Sequence, residues 1–211
     1  IAPLKQDVQK VFNRKKNKLF SHGECERWIL HNDAGVTIGR IAAFINRDTA
    51  FAEEQPTGGC GFFECVNNKQ AAFLLFNTAK QWLMERKMEA MDGPINFGER
   101  NAWWGLLVEG FSPPTYQMNY NPTYYIELFE AYGFKDYFQQ YSYSININAP
   151  RPDRYKGIVD RLLVNGEYSF RHLEKNKLKQ YAADFRSIYN RTWKFLPNFK
   201  YLLTDYPSLD C

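Results

Sequence analysis

Gly59-Cys-Gly-Phe-Phe-Glu-Cys-Val-Asn-Asn-Lys-Gln-Ala-Ala-Phe-Leu-Leu-Phe-Asn-Thr-Ala-Lys-Gln-Trp-Leu-Met84 is the stretch on which the fold turns. Its first eight residues, 59–66, are short, apolar and rich in strand formers, which predicts a β-strand. The period then changes. Ala71, Leu74, Leu75, Thr78, Ala79, Trp82 and Leu83 recur at i, i+3, i+4, i+7, i+8, i+11 and i+12, one stripe of an α-helix. Asn67 and Asn68 stand where N-caps belong. A helix over 69–86 should therefore pack on the sheet through Ala71, Leu75 and Trp82.

Upstream, residues 24–31 and 36–46 read as strands around the turn Asn32-Asp33-Ala34-Gly35, an antiparallel hairpin. Residues 47–58 are polar and read as a loop. Downstream, 88–96 returns to the sheet and stops at Asp92-Gly93-Pro94. Residues 98–120 are irregular, with one short helix expected at 101–108. Pro122 opens a helix that carries Tyr124, Tyr125, Leu128 and Phe129 and ends at Gly133. Tyr137, Gln139, Tyr141, Tyr143, Ile145 and Ile147 then alternate with polar residues, so 136–148 reads as a half-buried strand. The order predicts an α/β domain: a mixed sheet flanked by helices. Ala149-Pro150-Arg151-Pro152-Asp153 breaks the chain, separating a domain over 1–150 from an extension over 151–211. That extension should hold a helix around Ile158, Val159, Leu162 and Leu163, a short strand over 167–173, and a helix around Leu178, Tyr181, Phe185 and Ile188.

The chain has 211 residues, 45% hydrophobic and 24% charged, enough for a real core without staples. Residues 1–20 carry six Lys/Arg against Asp7, 21–150 nine against fifteen Asp/Glu, and 151–211 twelve against seven. An acidic middle between basic ends argues against one dense nucleic-acid face. The cluster Arg14-Lys15-Lys16-Asn17-Lys18 reads as a solvated surface or a phosphate patch. The cysteines at 25, 60, 65 and 211 contain no Cys-x-x-Cys pair, which argues against zinc and for reduced thiols in the cytoplasm. Cys60 and Cys65, five apart, should face opposite sides of one strand. No segment approaches the ~18 apolar residues of a membrane span, and no hydrophobic signal region opens the chain. The chain starts at Ile1 and ends without a closing element, so it reads as part of something longer.

These elements, in this order, resemble the GNAT acyltransferase superfamily over roughly 24–148. The resemblance rests on the strand Gly61-Phe62-Phe63-Glu64-Cys65-Val66 leading into the helix from Lys69, on Asp92-Gly93-Pro94-Ile95-Asn96, and on Ala131-Tyr132-Gly133-Phe134 before a long strand. The stretches Gly105–Phe111 and Asn119–Tyr125 are similar to a bacterial GNAT-like subgroup whose members are longer and carry two such halves. Phe12-Asn13-Arg14 with Leu19-Phe20 echoes Tyr189-Asn190-Arg191 with Leu196 and Phe199.

The resemblance implies a splayed sheet that pairs its backbone with the pantetheine of acetyl-coenzyme A or another acyl-coenzyme A, and no metal. It implies a diphosphate at the start of the helix, where free N–H groups and the dipole favour an anion. The donor would then contact Cys65, Val66, Asn68, Lys69, Gln70, Ala71 and Asn121. The family's phosphate-loop glycines are missing: the first glycine slot holds Lys69, which either obstructs a diphosphate or supplies charge to it. The slot of the family's acid tyrosine holds Phe129, which has no proton to give; Tyr125 and Tyr132 are the neighbouring catalytic candidates. Glu64 sits where family bases often lie. It is either a base in apolar company, with a raised pKa, or the partner of an arginine such as Arg40. The segment 98–125, with Trp103, Trp104, Tyr116, Tyr120 and Tyr124 and polar Glu99, Arg100 and Asn119, reads as an acceptor pocket or as a face buried against the extension. The acceptor implied is a small-molecule or peptide amine, the alternative a ligand- or protein-binding module without catalysis.

Overall fold

The computed structural model describes residues 4–193 except Glu53, Glu99, Asn165 and Phe170. Glu99, Leu196, Phe199 and Cys211 thus lie outside the described residues. The chain forms two compact units, Ile1–Ser142 and Tyr143–Cys211.

In the first unit, α1 (Lys5–Val11) precedes a four-stranded mixed sheet of order β1-β2-β3-β4. The hairpin forms as β1 (Gly23–His31) and β2 (Thr37–Asn46), antiparallel, with the Asn32 side chain accepting from the N–H groups of Ala34 and Val36 in the turn. A short helix, α2 (Arg47–Ala50), interrupts the expected loop. Next, β3 (Thr57–Cys65) pairs antiparallel with β2. The crossover helix α3 (Lys69–Met84) leads to β4 (Ala90–Asp92), parallel to β3. Antiparallel hairpin, strand–helix–strand crossover and flanking helices make this an α/β fold, as the patterning requires.

Helix α3 buries Ala71, Ala72, Leu75, Phe76, Ala79, Trp82 and Leu83, while Leu74 is exposed. The buried face is therefore turned slightly from the expected stripe and centres on Phe76. That ring stacks on Phe63 at 4.7 Å and meets Phe129 at 4.8 Å and Tyr132 at 4.9 Å. Helix α4 (Tyr124–Tyr132) supplies the last two rings, and Gly133 ends it at φ 112°, a conformation that suits glycine.

Several expected elements do not form. Residues 101–108 hold no helix, 136–148 no strand, and the described part of 167–173 no strand. The alternation over 137–147 has no strand to pair with, and Tyr137, Tyr141, Tyr143, Ile145 and Ile147 are all exposed. A period-2 pattern states which face could be buried; a neighbouring ladder has to bury it. The second unit has α5 (Asp153–Val164) and α6 (Leu178–Trp193), with none of their described residues buried.

Candidate functional site

The site is built by one irregularity in β3. Arg40 pairs with Glu64 and Ala42 with Gly61, so Phe62 and Phe63 together oppose Ile41. This is a β-bulge, and Phe62 adopts φ 51°. A non-glycine residue held there costs about 1–3 kcal/mol, which marks a constrained position. The bulge also corrects the expectation for the cysteines. The extra residue restores the side-chain phase, and Cys60, Phe63 and Cys65 all join the cluster under α3.

On its other edge β3 loses its partner. The β3–β4 ladder runs only from Thr57↔Ala90 to Gly59↔Asp92. One further bond follows, from Ile95 N–H to the Cys60 carbonyl at 2.8 Å. Gly61 permits that closeness: a Cβ there would lie 1.8 Å from the Ile95 carbonyl oxygen. Beyond this point the chain leaves β3, and α4 reaches the vacated edge. Cys65 N–H donates to the Tyr125 hydroxyl at 2.9 Å, and the Tyr124 hydroxyl donates to the Cys65 carbonyl at 2.8 Å.

Tyr125 in turn donates to Glu64 Oε2 at 3.1 Å, and Arg40 Nη2 lies 3.5 Å from Glu64 Oε1. Glu64 is 59% exposed, so the apolar setting expected for it is absent and the pairing with Arg40 forms instead. Burial pushes the Tyr125 phenol well above its usual range; the Cys65 N–H opposes that shift and the Glu64 carboxylate adds to it. Tyr125 therefore keeps its proton at neutral pH and acts as a donor to Glu64.

The start of α3 is capped. Asn68 accepts from Ala71 N–H at 2.9 Å, so of the N–H groups at the helix start those of Lys69 and Gln70 remain for an anion. Lys69 Nζ lies 5.3 Å from the Phe73 ring centroid, drawn back along its own helix.

The remaining candidates make their contacts with other partners than Glu64. Tyr132 donates to Asn77 on α3 at 2.8 Å. Asn121 is buried and bridges Leu107, accepting from its N–H at 2.9 Å and donating to its carbonyl at 3.1 Å. Trp103 packs beside Phe62 at 5.7 Å, and Arg100 covers Trp104 at 5.2 Å. Tyr116 is exposed and donates to Asp7, while Tyr120 is exposed and Val66 half out of the core. Arg40 and the Phe62 bulge belong to the site yet carry no motif. The glycines at 58, 59 and 61 were the available signal, because such density in a strand points to close backbone approach.

Among the described residues no three His, Cys, Asp or Glu side chains are grouped to hold a metal, and no helix is long and apolar enough to cross a membrane. Cys25, Cys60 and Cys65 are free thiols, and burial pushes Cys25 and Cys60 up to about 12.

No protein-family model matches the chain, and no solved structure matches it. Protein YghO of Escherichia coli (strain K12) is 25% identical over 183 residues, covering 85% of this chain and 45% of YghO. The chain thus spans less than half the length of that relative.

Proposed function

We propose that the unit Ile1–Ser142 is a GNAT-like, acyl-coenzyme A-dependent N-acyltransferase, acting on a small-molecule or peptide amine in the cytoplasm. The observation that carries this reading is the parting of parallel strands β3 and β4 beside an exposed carboxylate, Glu64, held by Tyr125 and Arg40. Glu64 Oε1 and Oε2 have the accessibility to take a proton from an acceptor amine. Tyr125 orients the carboxylate, and Arg40 balances its charge. The thioester donor supplies the activated acyl group. The buried, free thiols support a reducing compartment.

The fit to such a donor is partial. The edge is laid bare by the early end of the β3–β4 ladder, and two N–H groups remain at the α3 terminus. Tyr124 and Tyr125, however, hold both main-chain groups of Cys65, and a donor pairing there replaces them. That plug, with Phe129 sealed in the core, favours the second reading, a binding module without catalysis.

Isothermal titration with acetyl-coenzyme A, followed by turnover of Glu64→Gln on an amine panel, separates the two. The acyltransferase reading expects saturable binding and a loss of about 10²–10⁴ in turnover, the usual contribution of a positioned base. No coenzyme A binding, either in wild type or in the Tyr124→Phe/Tyr125→Phe variant, overturns it and leaves the module.

A further inference from the structure

We infer that a cavity between α1 and β1, lined by none of the residues that hold Glu64, is a binding site for a small phosphate-bearing ligand. The cavity measures about 370 Å³ and is lined by Lys10, Lys16, Arg27, Phe12 and the amides of Gln6 and Gln9. That volume lies within the roughly 300–1,000 Å³ of small-molecule sites.

Three facts point to an anion. Gln6, Gln9 and Lys10 fall on one face of α1 by their spacing of three and four. Arg27 alternates with Glu26 on β1, so it shares the side of Cys25 that packs toward Phe12. Lys10, Lys16 and Arg27 thus line one cavity, and the Glu26 carboxylate, which accepts from the Arg27 N–H at 2.9 Å, is not part of its lining. Second, no ion pair among the described residues neutralises Lys10, Lys16 or Arg27. The single acid of α1, Asp7, accepts instead from the Tyr116 hydroxyl. Third, the arginine is held in place. Its guanidinium lies 4.7 Å from the Phe12 ring centroid, and Phe12 is wedged edge-on against Phe62 at 4.8 Å. A planar fork fixed in advance suits the oxygens of a phosphate, with two lysines to share the charge. The volume is that of a small-molecule site, and its lining is open to solvent at Lys10, Lys16 and Arg27.

The test is isothermal titration of the full chain with sodium tripolyphosphate at 0.1 M salt. Wild type should bind one equivalent, and Lys10→Gln, Lys16→Gln and Arg27→Gln should each weaken binding by about tenfold, the worth of one charge-assisted contact. Arg27→Lys should weaken it less than Arg27→Gln, since charge remains but the fork is lost. Lys80→Gln, an exposed cation on α3, should leave it unchanged. No binding, or equal loss in Lys80→Gln, overturns the site. Citrate binding as tightly as tripolyphosphate overturns the phosphate assignment. A single-stranded oligonucleotide binding more tightly with the same residue dependence reassigns the surface to nucleic acid. Competition between coenzyme A and tripolyphosphate merges the cavity with the donor site and overturns its independence.

Discussion

The two halves of β3 behave differently, although one strand sequence contains both. Thr57–Gly61 is clasped by β2 at Gly59–Gly61 and, on the other edge, by β4 and Ile95 at Thr57–Cys60. Phe62–Cys65 keeps β2 on one edge and gives the other to two tyrosine hydroxyls. The glycine-rich half lets backbones meet; the bulky half forces them apart. A cleft arises where side-chain volume returns to a strand whose neighbour can follow it no further. The comparison predicts that the open half depends on side chains and the closed half on their absence.

The largest test removes the side chain on which the open half rests. Phe76→Ala leaves a cavity against Phe63, Phe129 and Tyr132, and should destabilise the first unit by about 3–5 kcal/mol, read from the urea midpoint. A loss below about 1 kcal/mol would mean that the open half is not supported from α3. Gly61→Ala tests the closed half. Its methyl collides with the Ile95 carbonyl, so the segment at Ile95, just past β4, must retreat, at about 1–3 kcal/mol for an overpacked site. Faster hydrogen exchange at Ile95, whose N–H bonds Cys60, would report the retreat; an unchanged rate would contradict the clasp.

Much of this difference could not be read in advance. The hairpin, α3 and α4 were legible, because turn chemistry and 3.6-residue spacing act locally. Glu64, Tyr125 and Arg40 stand out by residue type and position, but the link between them depends on a bulge that no periodicity encodes. The expected strand over 136–148 failed for a related reason: alternation describes one chain, while a ladder needs two. Asn121 shows the same limit. Its residue type allows a ligand contact, and only tertiary structure gives both its amide groups to Leu107.

The tyrosine plug gives a smaller effect with an informative sign. Tyr125→Phe strips the partner from the Cys65 N–H and should cost about 1–3 kcal/mol; Tyr124→Phe, at a half-buried carbonyl, should cost about 1 kcal/mol. If the open edge is a donor slot, the double variant binds acetyl-coenzyme A more tightly than wild type despite its lower stability. Weaker binding would instead make the two hydroxyls part of the donor contact.

The smallest effect separates two carboxylates that both meet arginine. Glu64, in the cleft, is 59% exposed and has one guanidinium at 3.5 Å. Glu24, on β1, is 31% exposed and is bridged by Arg47 at 2.5 Å and Arg86 at 2.9 Å, with Arg86 laid over the Trp82 ring at 3.8 Å. Burial pushes the Glu24 carboxyl up, but hydrogen bonds and charge from Arg86 and Arg47 outweigh it and hold the group below its ordinary value. A carboxyl depressed in the folded state stabilises the fold above its unfolded value, about 4.3, and loses that contribution as pH falls through the lower, folded one. Glu24→Gln should therefore destabilise the first unit at pH 7, and the gap to wild type should close as the solution is acidified below pH ~4. Glu64→Gln, at an exposed single pair, should shift stability by no more than about 1 kcal/mol at pH 7 while affecting turnover. Paired urea titrations at several pH values decide it. A Glu24→Gln gap that stays constant with pH would mean that the double bridge contributes shape rather than charge, and a large stability loss in Glu64→Gln would make the cleft carboxylate a structural group.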